Sequence, residues 1–431
     1  MNKIETLTLP NGLTIYLYED KRKHTTIFQL ITLFGGATKD FIIDNKETHF
    51  QDGIAHILEH FIVECNSYGN FLNILGQKEM NANAITSQNY TRYFFETVEN
   101  VEFGIQTLLD CIYSPIFTNE NLEKLKEPIY QEIRGKENNR FFHESIEVSK
   151  NIFHKINFHS TGGTIEEVKN TTIEDIKLCF ESFYQPNNQL IIIAGNFKKD
   201  KILKIIEEKT KNLNIPKHKI ETININEPKE VKKKYGKITF PTPTSYLEVT
   251  YKVPISHLTN IEKLKLDFYI HYFFDMNLGV TSPLYKKLVK EKIITTGINR
   301  SNRKMSDYLL ISIGAYTSKK TFLKEEIIKA MKNIIMDKEI FELDKKNTIL
   351  DIILREENLS SVVGPLIGNI VNFNYPYPDT VEDIQKLNFE EYKNMIFSLD
   401  FSNYTITTID NPKEVLCQIV LVKDFDKNVR G

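Results

Sequence analysis

Two histidines and a glutamate fall within five positions of an otherwise apolar stretch, GIAHILEHFIVE, residues 53–64. On an α-helix, residues four apart share a face, so His56 and His60 project side by side and can bind a single ion. Glu59 lies on the same flank, next to His60. Ile54, Ile57, Leu58, Phe61 and Ile62 fill the opposite face and predict a helix packed on a core. A partly buried carboxylate beside two imidazoles is costly unless something compensates it. A divalent cation does so, and zinc suits mixed nitrogen and oxygen ligands while keeping one position open for water. Glu59 then serves better as a general base toward water than as a ligand. A third protein ligand is missing from the stretch. A satisfied pair of core or helix-surface histidines is the plain alternative.

The elements around this helix can be read from periodicity. Asp52 is a candidate N-cap for it. GLTIYLYE, TTIFQLITLFGGA and YTRYFFETV read as strands, rich in β-branched and aromatic residues. VEFGIQTLLDCIY carries the stripe of a core-facing helix, and NENLEKLKEPIYQEIRGKENN another, with Leu122, Leu125, Ile129 and Ile133 inward and Pro128 as a candidate kink. TIEDIKLCFESFY is helical and NQLIIIAGNF a buried strand. Residues 215–237 are polar and charged and read as a linker. The second half repeats the grammar loosely: strands at SYLEVTYKVP, DYLLISIGAY and NYTITTI, with helices through 261–292, 321–357 and 379–398. The expectation is an α+β chain of two tandem homologous domains, 1–214 and 238–431. Each is a mostly antiparallel sheet with helices packed on one face.

Composition narrows the classes. The chain has 431 residues, 41% hydrophobic and 26% charged, with a formal net charge of -2, which argues against a nucleic-acid or membrane-surface binder. The basic run KEVKKKYGK at 229–237 reads as solvated linker. No apolar run reaches the roughly 20 residues that span a bilayer, and MNKIETLTLPNG lacks the apolar core of a secretory signal. Cys65, Cys111, Cys179 and Cys417 form no CxxC, so neither a disulfide framework nor a thiolate zinc site is expected, and a reducing cytoplasm is the default. Cys65, five residues past His60, faces elsewhere on a continuing helix and reads as packing.

The order H-x-x-E-H reverses the H-E-x-x-H zinc-peptidase motif. With it, LPNGLTIYL, NANAITSQNYTRYFF, LEKLKEPIYQEI and GTIEEVKNTTIEDI…FYQPNNQLIIIAGNF follow in an order that resembles the insulinase-type (M16) metallopeptidases. That family includes pitrilysin and the mitochondrial processing peptidase, and the likeness is greatest to half-size bacterial members. The resemblance implies zinc held by His56, His60 and Glu132, with Glu59 as the base. It also implies that NANAIT opens an edge strand to which an extended peptide adds as a further strand, with Asn83, Ala84 and Thr86 lining the cleft.

Two departures stand out. Family members often carry a second glutamate seven residues before the third ligand; here that place is Leu125, with Glu127 out of register. They also carry an Arg and a Tyr in the second domain that clamp substrate; here the matching places are Val289 and Thr296, and Arg300 and Tyr308 do not fit the spacing. The resemblance therefore implies one half of a clam-shell peptidase that acts on unfolded peptides as a dimer, favouring a heterodimer whose related partner supplies the clamp. A leader or processing peptidase is one form of this. A non-catalytic subunit and a small-molecule metal hydrolase are the competing classes.

Overall fold

The computed structural model describes residues 4–37, 39–156, 160–213, 218–223, 225–305 and 307–412. The backbone gathers into two compact units, Met1–Lys136 with His159–Asn224 and Ile353–Asp379, and Glu137–Phe158 with Ile225–Ile352 and Thr380–Gly431. Segments 137–158 and 353–379 thus cluster away from their sequence neighbours. The division expected at 214–215 lies outside the described residues, as does Cys417.

The strands of the first unit are β1 (Glu5–Thr8), β2 (Thr14–Glu19), β3 (Thr26–Thr32), β4 (Asp40–Ile43), β5 (Lys46–His49), β6 (Asn81–Thr86), β7 (Thr91–Thr97), β8 (Gln189–Gly195) and β9 (Ile220–Thr222). Six form one sheet in the order β1-β2-β8-β3-β7-β6, and β5-β4-β9 form a small second one. Only β2 and β8 of the large sheet run parallel. β8, QLIIIAG, is buried at every residue because both faces of the sheet are covered. One face meets the helices, α1 (Ile54–Glu64) and α2 (Asn119–Glu137) among them, through Ile57, Leu58, Phe61, Leu125, Ile129, Ile191 and Ile193. Burial of each such side chain stabilises the unit by about 1.5–3 kcal/mol.

The second unit contains α3 (Arg140–Ile152) and the strands β10 (Tyr235–Thr239), β11 (Tyr246–Pro254), β12 (Asn299–Met305), β13 (Tyr308–Tyr316) and β14 (Tyr404–Asp410), ordered β10-β14-β11-β13-β12. Its only parallel pair among the described residues is β10 with β14. Strand for strand, β10, β14, β11, β13 and β12 repeat the pairing and directions of β2, β8, β3, β7 and β6. The α+β architecture of two like domains is therefore as expected. The stretch expected as linker is not without structure: β9 pairs with β4 of the first unit, and β10 with β14 of the second. Its Glu227 is buried, ion-paired with the buried Lys252 at 2.8 Å, and accepts hydrogen bonds from the amides of His154, Lys155 and Ile156.

The far face of the first sheet is covered by a helix that periodicity missed, α4 (Leu359–Phe373). Its Leu359, Val363, Leu366 and Ile367 pack on Tyr16, Ile27, Ile31 and Ile192.

Candidate metal centre

The helix α1 begins one residue later than expected. Asp52 is not its N-cap; Gly53 takes that place with φ +86°, and its carbonyl accepts from the amides of His56 (3.0 Å) and Ile57 (2.9 Å). Asp52 is turned instead into an ion pair with Lys39 at 2.9 Å. A Cβ on Gly53 would lie 2.5 Å from the carbonyl oxygen of Gly162, so glycine is what lets the 162–163 loop close over the first turn.

α2 is continuous through Pro128 and presents Leu122, Leu125, Ile129 and Ile133 to the core. That register leaves Glu132 half-exposed and opposite α1. His56 Nε2 lies 3.4 Å from one Glu132 oxygen, and His60 Nε2 lies 3.3 Å from the other. The two imidazoles stand edge to face, centroids 4.7 Å apart. All three potential donor atoms fall within 4.8 Å of one another. A charge-assisted N–H···O bond is about 2.7–2.9 Å, so these contacts are long for direct pairing. Tetrahedral bonds of about 2.0–2.2 Å put ligand atoms roughly 3.3–3.6 Å apart, and the two histidine–glutamate separations fall in that range. Two imidazoles and a carboxylate thus fit a borderline divalent ion such as zinc.

The electrostatics are those of a preassembled pair. The ring nitrogens of His56 and His60 that face it hold the Glu132 carboxyl far below the usual carboxylate range. Burial alone would lower the His60 imidazolium, but Glu132 outweighs it and the pKa lies above its ordinary value. The inner nitrogen of His56, Nδ1, is buried without a hydrogen-bond partner among the described residues. Gly162 lies against it, so that a Cβ there would be 3.6 Å away. The ring is held by packing where histidine ligands usually donate to an acceptor.

Glu59 is 7% exposed, and its Oε2 accepts a hydrogen bond from the Thr86 hydroxyl. Nearby, the hydroxyls of Tyr93 and Tyr184 bond to each other at 2.8 Å, both fully buried. Among the described residues β6 pairs with β7 alone, at the edge of the sheet. On it, Asn83 is exposed, with its side-chain oxygen accepting from the Ala84 amide at 2.8 Å, while Ala84 is buried against the core. Thr86 faces Glu59, a contact for which local sequence carries no signal. Leu125 is sealed in the core, and Glu127 turns to Gln131 and Arg134, so neither reaches the histidines. Cys65 is buried packing. In the second unit, Val289 and Thr296 are exposed, Arg300 is engaged with Asp275 and the Phe274 carbonyl, and Tyr308 donates to the Glu227 carbonyl.

Comparison with known proteins gives a consistent picture. Residues 45–154 match the model of the insulinase family (peptidase family M16), and residues 170–347 match that of the peptidase M16 inactive domain. The uncharacterised zinc protease YmfH of Bacillus subtilis is 25% identical over 397 residues, covering 90% of this chain and 92% of that protein. The non-peptidase homolog YmxG of Helicobacter pylori is 23% identical over 414 residues, 92% of each. Among solved structures, an M16-like peptidase from Alicyclobacillus acidocaldarius shares the fold with a TM-score of 0.86 at 23% identity, covering 95% of this chain and 98% of that one. With one copy of each domain model, the chain belongs to the M16 (insulinase) peptidase family, as a half-size member.

Proposed function

We propose that this chain is a zinc-dependent endopeptidase subunit, with His56, His60 and Glu132 holding the metal and Glu59 acting as general base. The observation that carries the reading is the convergence of three potential donor atoms within 4.8 Å of one another beside a buried, hydrogen-bonded carboxylate. When bound, the ion would supply Lewis-acid polarisation of a water and of a peptide carbonyl. Glu59 takes the proton from the attacking water and passes it to the leaving amine. The free edge of β6 receives the peptide as an added strand, so its backbone rather than its side chains provides affinity, and Asn83 stands exposed beside it. That mode suits unfolded segments of loosely defined sequence, such as leader peptides.

Arg300 and Tyr308 are already engaged within the second unit, which supports a clamp supplied from elsewhere. The working form is then a dimer with a related half-size chain that carries the Arg and Tyr. The kinship to a protein named a non-peptidase homolog favours a second reading, a non-catalytic subunit, although the complete set of His56, Glu59, His60 and Glu132 weighs against it. The test is hydrolysis of a quenched peptide of about 15 residues, with and without a chelator, by wild type and Glu59→Gln, each assembled with a related half-size chain that carries the Arg and Tyr. Chelator-sensitive cleavage that falls about 10²–10⁴-fold in Glu59→Gln supports the proposal. Absence of cleavage by the assembled, metal-loaded wild type sinks it.

A further inference from the structure

Thr86 closes the edge strand, and its side chain points at the acid–base group rather than away from it. Its hydroxyl donates to Oε2 of Glu59, which is itself nearly sealed from solvent. The backbone that carries Thr86 is fixed from several sides. Thr86 is the last residue paired across to β7, opposite Thr91, and the Ser87 amide closes the turn on the Tyr90 carbonyl at 2.8 Å. The turn is fastened to the 35–37 loop, where the Gly36 amide donates to the Ser87 carbonyl (2.9 Å) and the Ala37 amide to that of Gln88 (2.8 Å). The approach is so close that a Cβ on Gly35 would fall 2.5 Å from the Ser87 oxygen. Thr91 adds a hydroxyl bond to the Phe34 carbonyl at 2.9 Å.

A threonine is stiff at χ1, so a rigid backbone fixes where its hydroxyl points. A carboxylate has two oxygens, and a donor held on one leaves the other as the free acceptor. We propose that Thr86 is a positioning residue: its hydroxyl holds Oε2 of Glu59 and leaves Oε1 to take the proton, tying the base to the strand that receives substrate. This rests on the reading of Glu59 as the base. It changes the role of Thr86 from lining the cleft to orienting the residue that does the chemistry. It also gives the hairpin a second duty, since one strand then registers both the docked backbone and the base.

The variants are Thr86→Val, of nearly equal shape but without the donor, and Thr86→Ser, which keeps it. In the assembled, zinc-loaded protein, Thr86→Val should lower kcat about 10–100-fold with KM within about twofold and zinc content unchanged, and Thr86→Ser should recover most of the loss. A second readout needs no turnover: thermal melting of the metal-free chain across Thr86→Val, Glu59→Ala and their combination. The shift caused by Thr86→Val should depend on whether Glu59 is present. An additive cycle would overturn the contact. A change confined to KM would make Thr86 a substrate contact, and Thr86→Ser as poor as Thr86→Val would assign the effect to the γ-methyl; either overturns the proposal. Full activity in Glu59→Gln would remove the base and this role with it, while a non-additive cycle would still report the contact, so the two failures are told apart.

Discussion

The start of the metal helix is open to a quantitative test at Gly53. Gly53→Ala forces an L side chain into φ +86°, at a cost of about 1–2 kcal/mol. The new methyl also meets backbone, not a flexible side-chain end: 2.5 Å to the Gly162 oxygen, 2.7 Å to its carbonyl carbon and 2.9 Å to the Gly163 nitrogen. Overpacking of that kind adds about 1–3 kcal/mol, so the whole is about 2–5 kcal/mol, a large part of the roughly 5–15 kcal/mol that holds a domain. Relief requires the helix and the 162–163 loop to part, and Gly53 is the residue whose carbonyl anchors the His56 amide. Both stability and metal affinity should therefore fall. Urea unfolding of the metal-free chain, together with zinc titration against a chromophoric chelator, reads both. Gly135→Ala is the contrast: it lies in α2 with nothing within 4 Å of a new Cβ, and should stabilise by about 0.5–1 kcal/mol. Gly53→Ala with wild-type midpoint and zinc affinity would refute the reasoning.

Other outcomes follow from the second unit. Glu144, on α3, is pushed up to about 8 by burial and by Glu248, against the pull of Arg140. The folded state therefore keeps a proton that the unfolded chain loses near 4.5, so this group's stabilisation is complete below that pH and is lost as pH rises toward 8, by at most about 1.4 kcal/mol per pH unit. Glu144→Gln should flatten that slope in urea midpoints measured from pH 5 to 8, and an unchanged slope would contradict the assignment. Lys252→Met leaves the buried Glu227 without its cation and should cost about 3–5 kcal/mol, with Glu227→Gln in the same chain recovering part of it. Equal melting of the single and double variants would show that charge is not what matters there.

What the sequence disclosed follows the physics of each signal. β8 could be read as a buried strand because a sheet covered on both faces needs apolar side chains on both, and LIII supplies them. The core stripe of α2 and the shared face of His56 and His60 could be read because helical period alone decides them. Glu132 is one glutamate among several on an exposed helix face, so period alone could not single it out; the family resemblance named it, and its closeness to two histidines far away in sequence sets it apart in the structure. The helix start was displaced because Asp52 has the chemistry of a cap, whereas Gly53 answers to a backbone approach that no periodicity records. α4 was missed because Pro365 and two glycines interrupt its pattern, while its burial comes from the sheet it covers. The role of Thr86 is a tertiary contact across 27 positions and has no local signature.

The most direct test is the metal content of the purified chain by mass spectrometry, for wild type beside His56→Ala and Glu132→Ala. The account predicts a single zinc per wild-type chain and its loss from both variants. A wild type that takes up no metal, or a Glu132→Ala chain that keeps its full complement, would contradict the three-ligand centre on which the proposed chemistry depends.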